Sequence, residues 1–350
     1  MLTYVLMGVL VVCMGFVYAW RTQFDQTKKD FISYDDTLFF RAFWCIIVIM
    51  VHIPPAYQNK LQDLIGSFAY IGVTFFYLAS GYGLKYSVSN KKDYLQTIWK
   101  HRLPSLLIPA ILANAFQVFV RLINKGGSSI TLWQLIDINN WVKSLLVLYF
   151  IFWFIYWVAL KSAWINKYKD IIIVTLVLII CLLEQFSTIH LAWGWIVEPL
   201  GFAYGILIAN AHDRINALFH RKWLSRLFAL IILSVIIGIL YIKTKASLFW
   251  GSFFIKSILG LCLICLSFQF TSIVRCGNNI TAYLGKYSYE IYLLHGVVFS
   301  LLQITGGDRI NSGVYVILSV ILTAVSAGIL GKIASSLKKH LQLEVNNNKV

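Results

Sequence analysis

The chain has 350 residues, of which 59% are hydrophobic and only 13% charged, with a formal net charge of +16. A soluble domain carries about a quarter charged residues, so this composition excludes an ordinary globular fold and defines an integral membrane protein. A nucleic-acid binder is excluded too, because the basic residues lie between apolar segments and form no patch on a soluble surface.

Apolar stretches long enough to span a bilayer predict eleven membrane helices, at 2–20, 37–54, 64–84, 103–122, 144–160, 171–188, 191–211, 223–242, 249–270, 283–303 and 313–335. The expected fold is thus an all-α polytopic membrane protein. The first span, MLTYVLMGVL onward, has no basic n-region and no small-residue cleavage site, so it is expected to be a retained helix and not a secretory signal. Loops at alternate ends of the spans hold 21 of the 30 Lys and Arg residues and the opposite loops hold seven; Arg41 and Lys256 lie inside spans. The positive-inside rule then places the N-terminus outside and the C-terminus in the cytoplasm.

The second span, LFFRAFWCIIVIMVHI, contains Arg41 and His52 and is stopped by Pro54 and Pro55. Eleven helical steps return to within about 20° of the starting direction and rise about 16 Å, so the two side chains share one face at different depths. A cation at bilayer depth costs about 3 kcal/mol, so Arg41 is expected to face a protein interior or a wet cavity. Taken singly, Arg41 reads equally as a snorkelling cation and His52 as an interfacial histidine; their common face favours a shared role.

In the third span, Thr74, Tyr77 and Ser80 form a polar stripe beside Gly81, with Ser80 expected near the depth of Arg41. Such stripes also serve helix packing. The following segment, Lys85 to Arg102, reads as a basic cytoplasmic loop that enters the fourth span as WKHRLPSLLIP. It suits topology and contact with anionic lipid, or alternatively a phosphate-binding mouth, since Arg and Lys bind phosphates through charge-assisted bonds. The six cysteines, including the Cys262–Cys265 pair, lie in apolar runs without a second pair or a nearby His, so they read as inert thiols and no metal site is expected. In the tenth span Ser288, Tyr292 and His295 fall on one face, and Lys286 and Glu290 read as an i, i+4 pair. Glu198 and Lys256 are the remaining charges at membrane depth; each needs a partner, and they are expected to be each other's.

These segments resemble one known family. Arg41, ten intervening residues and His52 reproduce the Arg-x10-His signature of the membrane acyltransferase-3 family. FFYLASGY (75–82) is similar to its FFxLSGY, KHRLPSLLIP (100–109) to its R-x-x-R-x-x-x-P, and YSYEIYLLH (287–295) to its late SxxIYLLH. The resemblance implies a ten-helix core over residues 37–335, preceded by an extra helix and cytoplasmic loop (1–36) and followed by a short cytoplasmic tail (336–350). Two departures stand out. Ser105 occupies the place of the second motif arginine, which leaves donor binding to Arg102, Lys100 or His101. No extracytoplasmic esterase-like domain is expected, so an acceptor-delivering domain, where needed, falls to another protein of envelope polysaccharide synthesis.

The resemblance further implies transfer of an acyl group, usually acetyl, from cytoplasmic acyl-CoA to a hydroxyl of an extracytoplasmic or lipid-linked glycan, in a bacterial plasma membrane. No bound cofactor is expected, acyl-CoA being the donor substrate; the partners are that donor, the glycan acceptor and membrane lipids. CoA phosphates would meet Lys100, His101, Arg102 and Arg41. His52 would be the general base or, alternatively, a nucleophile carrying the acyl group; imidazole suits either role near neutral pH. His295 would position or transfer protons, Tyr292 or Ser288 would hold the oxyanion, and Ser80 would contact the donor. The competing reading is a transporter or lipid-linked-glycan flippase without acyl transfer. A polytopic glycosyltransferase would need an acidic residue in an early external loop, where Asp63 is the nearest.

Overall fold

The computed structural model describes residues 1–125, 133–186, 196–306 and 310–347. The chain enters as α1 (Leu2–Ala19), passes the two-residue strand β1 (Gln23–Phe24), and forms α2 (Tyr34–Val51), the short α3 (Lys60–Gly66), α4 (Ala69–Asn90) and α5 (Tyr94–Lys125). The middle of the chain holds α6 (Trp133–Ile136), α7 (Asn140–Ala159), α8 (Ala163–Phe186), α9 (Leu200–Asn210), α10 (His212–His220) and α11 (Trp223–Thr244). A π-helical turn, Trp250–Ile255, leads into α12 (Lys256–Thr271). Strand β2 (Val274–Arg275), α13 (Asn279–Lys286), α14 (Ser288–Gly306) and α15 (Ser312–Asn347) follow. The fold is that of an all-α polytopic membrane protein.

Among the described residues seven helical stretches are long and apolar enough to cross a membrane. The other four of the eleven expected spans fall on α2, α8, α9 and the α13–α14 pair. Helix α2 carries Asp35, Asp36 and Arg41, and α8 begins among Lys167, Lys169 and Asp170, so charge dilutes both. The span expected at 191–211 starts outside the described residues, and α9 itself has 11 residues. The tenth span is broken at Tyr287, which leaves helical geometry (φ −100°, ψ 17°). Lys286 therefore belongs to α13 and Glu290 to α14, so the two share no continuous helix, although they stay within electrostatic range of each other; Lys286 also lies over the Tyr287 ring at 5.3 Å.

Two further boundaries differ. The segment expected as a basic loop is mostly helix: Lys85 lies in α4, Lys100 to Arg102 lie in α5, and only residues 91–93 turn between them. A helix continuing past the membrane surface keeps its backbone bonds while its side chains become polar, so hydropathy ends the span too early. For the same reason α15 runs through the expected tail at 336 to Asn347.

The most extensive helix contact joins α4 and α9. It depends on glycine: a Cβ at Gly81 would strike the Phe202 carbonyl, one at Gly201 the Thr74 carbonyl, and one at Gly205 the Leu78 carbonyl. Close backbone approach through small residues is the membrane packing device, because lipid supplies no hydrophobic drive between helices. Helix α2 packs between α4 and α13, with Gly285 against the backbone of Leu38 and Gly72 against the Trp44 side chain.

Both ends of α2 are fixed. At its start Ser33 and Asp36 form a capping box, and Asp35 and Asp36 complement the helix dipole. Asp36 also accepts from Lys28 Nζ at 2.7 Å, and that ammonium donates to the Thr271 carbonyl at the end of α12. Strand β1 pairs antiparallel with β2, clipping this loop to the same region. At its far end Gln62 of α3 bonds the Met50 carbonyl, and the Tyr57 and Tyr315 rings stack at 3.8 Å.

Candidate active site

His52 is the C-cap of α2 and His295 lies in the second turn of α14. Their ring centres are 4.8 Å apart. His52 Nδ1 lies 2.8 Å from the Val48 carbonyl and His295 Nδ1 lies 2.6 Å from the Tyr292 carbonyl. A carbonyl only accepts, so each Nδ1 carries a hydrogen, and in the neutral ring Nε2 keeps its lone pair. The pair can therefore take a proton or attack an electrophile through Nε2. His52 is exposed at the helix end, and His295 is half-buried behind it.

A column of side chains runs from this pair down the bundle. The Tyr292 ring lies 5.8 Å from His295. Tyr292 is within electrostatic range of Tyr289, and Tyr289 of Tyr149. Arg41 lies within electrostatic range of the Tyr149 and Tyr34 hydroxyls and of the Arg102 guanidinium. Helices α2, α5, α7 and α14 thus converge on one interior, and Arg41 faces it with a buried Nε that has no hydrogen-bond partner among the described residues. Tyr289 is tied to α5 by its hydroxyl, which donates to the Leu106 carbonyl at 2.8 Å.

Beyond Arg41, at the Arg102 end of the column, lies a basic mouth. A cavity of about 440 Å³ is lined by Lys91, Lys92, His101, Arg102 and Lys338, with Ser105 in its wall and no carboxylate among its lining residues. Arg102 donates from Nε to the Tyr94 hydroxyl at 3.1 Å and lies over the Tyr149 ring at 5.6 Å, so it joins the mouth to the column. Lys100 does not line this cavity, whereas its neighbours on α5, the exposed His101 and the half-buried Arg102, do. Lys85 is also spent elsewhere: it donates to Asp170 at 2.8 Å and to the Tyr156 hydroxyl at 2.9 Å.

Other expected residues are placed differently from their proposed roles. Ser80 is not level with Arg41: the Phe40–Phe75 ring contact and the Trp44–Gly72 contact put Arg41 opposite the start of FFYLASGY, and Ser80 lies more than one turn nearer the mouth. Tyr292 donates its only hydroxyl proton to Asn139 Oδ1 at 3.1 Å, so in this arrangement it offers nothing to an oxyanion. Ser288 is buried two turns before His295 and about 10 Å away along the helix. Glu198 and Lys256 are brought together, with Nζ to Oε1 at 2.7 Å; the π-turn aims Lys256, which also lies over the Tyr70 ring at 4.8 Å.

Two contributors escaped the sequence reading. Asn139 caps α7 by accepting from the Trp141 amide at 2.9 Å while holding the Tyr292 hydroxyl. Trp141 packs on Tyr292 with ring centres 5.1 Å apart, and its buried Nε1 has no acceptor among the described residues. Asn preceding an apolar run is a cap signal, but nothing local points to the tyrosine it serves.

An imidazole pair thus lies at one end of this column and a carboxylate-free basic mouth at the other, within an all-α membrane fold. The family model for an acyltransferase domain of the acyltransferase-3 type matches residues 38–331, and the chain belongs to that family. It is therefore a multi-pass membrane acyltransferase. None of the curated proteins and none of the solved structures matches the chain.

Proposed function

We propose that this enzyme moves an acetyl group from cytoplasmic acetyl-CoA to a hydroxyl of an envelope glycan, such as a capsule or exopolysaccharide, at the outer side of the plasma membrane. The observation that carries this reading is the column itself, with phosphate-suited cations at one end and two proton-accepting imidazoles at the other. The CoA nucleotide sits in the mouth, its pantetheine arm passes Arg41, and the thioester reaches His52. The N-terminus lies outside and the C-terminus in the cytoplasm, consistent with the distribution of basic loops.

His52 Nε2 takes the proton of the acceptor hydroxyl as its oxygen attacks the thioester carbonyl. The tetrahedral oxyanion collapses, the C–S bond breaks, and the leaving thiolate takes a proton from the imidazolium, directly or through His295. The products are the ester and free CoA. Arg41 Nε and Trp141 Nε1, which have no acceptor among the described residues, are donors on the column suited to the donor's carbonyls and to the oxyanion. The covalent variant has His52 Nε2 carry the acetyl group first; quenching with labelled acetyl-CoA in the absence of acceptor separates the two routes by whether label stays on the protein.

The test compares ester-linked acetate on purified envelope glycans from wild type, a deletion strain and a His52→Ala strain with normal expression. Ester is expected only in the wild type. Equal ester in all three removes the reading, and loss of glycan export without any change in esterification favours a flippase.

A further inference from the structure

Ser105 stands where the family motif has its second arginine, and its surroundings differ from those of an ordinary helix serine. Its hydroxyl donates to the His101 carbonyl at 2.7 Å and accepts from Lys338 Nζ at 2.5 Å. Lys338 lies 233 residues further along, on α15, which packs along α5. It is half-buried, whereas Lys332 and Lys339 on the same helix are exposed. Lys338 and Arg102 line one cavity and feel each other's charge. Two cations held together without a carboxylate repel, so helix packing alone does not account for the arrangement; an anion between them does. The bond to Ser105 uses one of the ammonium's three N–H groups.

We propose that Lys338 is the second cation of the donor mouth, reaching through Ser105 into the place of the missing arginine and binding a phosphate of the CoA nucleotide. The proposal rests on the donor reading above. The last helix thus completes a subsite that the motif alone leaves unfinished. The chemistry recognised is a phosphate ester, which an anionic lipid headgroup also carries, and the arms of the test separate these sources.

The experiment measures equilibrium binding of CoA, and of pantetheine as a phosphate-free probe, to the full chain in phosphatidylcholine nanodiscs. Lys338→Ala should weaken CoA binding roughly tenfold, the scale of one charge-assisted hydrogen bond, and leave pantetheine binding unchanged. Lys338→Arg should bind CoA as the wild type does, and Ser105→Arg should restore binding in the Lys338→Ala background. The proposal is overturned if Lys338→Ala binds CoA as tightly as wild type, or if it loses pantetheine by the same factor. It is equally overturned if the loss occurs only with phosphatidylglycerol in the disc, which assigns the pocket to lipid. Wild-type protein that binds no CoA removes the donor reading and this proposal with it, whereas an indifferent Lys338 removes only the proposal.

Discussion

His52 and His295 are 243 residues apart in the chain, yet each gives its Nδ1 hydrogen to a carbonyl of its own helix and faces the other at 4.8 Å. Neither ring is free to turn without losing that bond. At that separation a change in either ring alters the surroundings of the other.

The pair should therefore behave as a unit. His52→Ala should lower acetyl transfer by about 10²–10⁴-fold, the range of a lost general base. The double variant with His295→Ala should be hardly slower than His52→Ala alone, since residues acting together are not additive. Turnover of labelled acetyl-CoA by proteoliposomes measures both; strictly multiplicative losses would separate the two histidines.

Gly205→Val should not yield a well-folded protein. Its Cβ would strike the Leu78 carbonyl and the Tyr82 amide, so the cost exceeds the ~1–3 kcal/mol of ordinary overpacking, where side chains can yield. Gly15→Val, on an open face of α1 with nothing within 4 Å, is the control. The fraction recovered as a monodisperse species from detergent, with its melting temperature, reports the difference.

Breaking the Glu198–Lys256 pair on one side only should destabilise more than removing both. Glu198→Gln leaves an ammonium with 19% exposed side chain and no anion, a loss on the scale of ~3–5 kcal/mol for a buried pair. Glu198→Leu with Lys256→Met should recover much of it. Thermal unfolding of the three variants in one detergent decides the order.

The β1–β2 clip should loosen in acid. Hydrogen bonds from Thr27, and then Arg275, hold Asp25 below the ordinary carboxylate value. A lowered carboxylate stabilises at pH above its unfolded value and loses that contribution as pH falls through the lowered one. Amide exchange at Gln23 and Phe24 should therefore accelerate selectively at low pH, and Asp25→Asn should abolish the acid dependence.

The face shared by Arg41 and His52 was legible because both lie on one helix, where spacing alone sets direction. The need of Glu198 and Lys256 for partners was legible from the cost of a lone charge in lipid; the turn that aims Lys256 was not, since a π-helical segment has no simple residue signature. Ser80 was misplaced because its depth depends on how α4 slides against α2, which Gly72 and Phe75 decide through contacts outside their own helix. Lys338 was invisible for a related reason. It lies in a segment that reads as a polar tail, and only the packing of α15 on α5 carries it to Ser105. Asn139 looked like a cap and no more, because its second bond is to a residue of α14.

The seam between α4 and α9 has a mechanical consequence. Where peptide planes touch with no side chains between them, parting the two helices would strand carbonyls in a dry interior, which nothing there could solvate. That flank is a fixed abutment. Any change of shape falls more readily on α5, where Pro104 and Pro109 already interrupt the hydrogen-bond ladder.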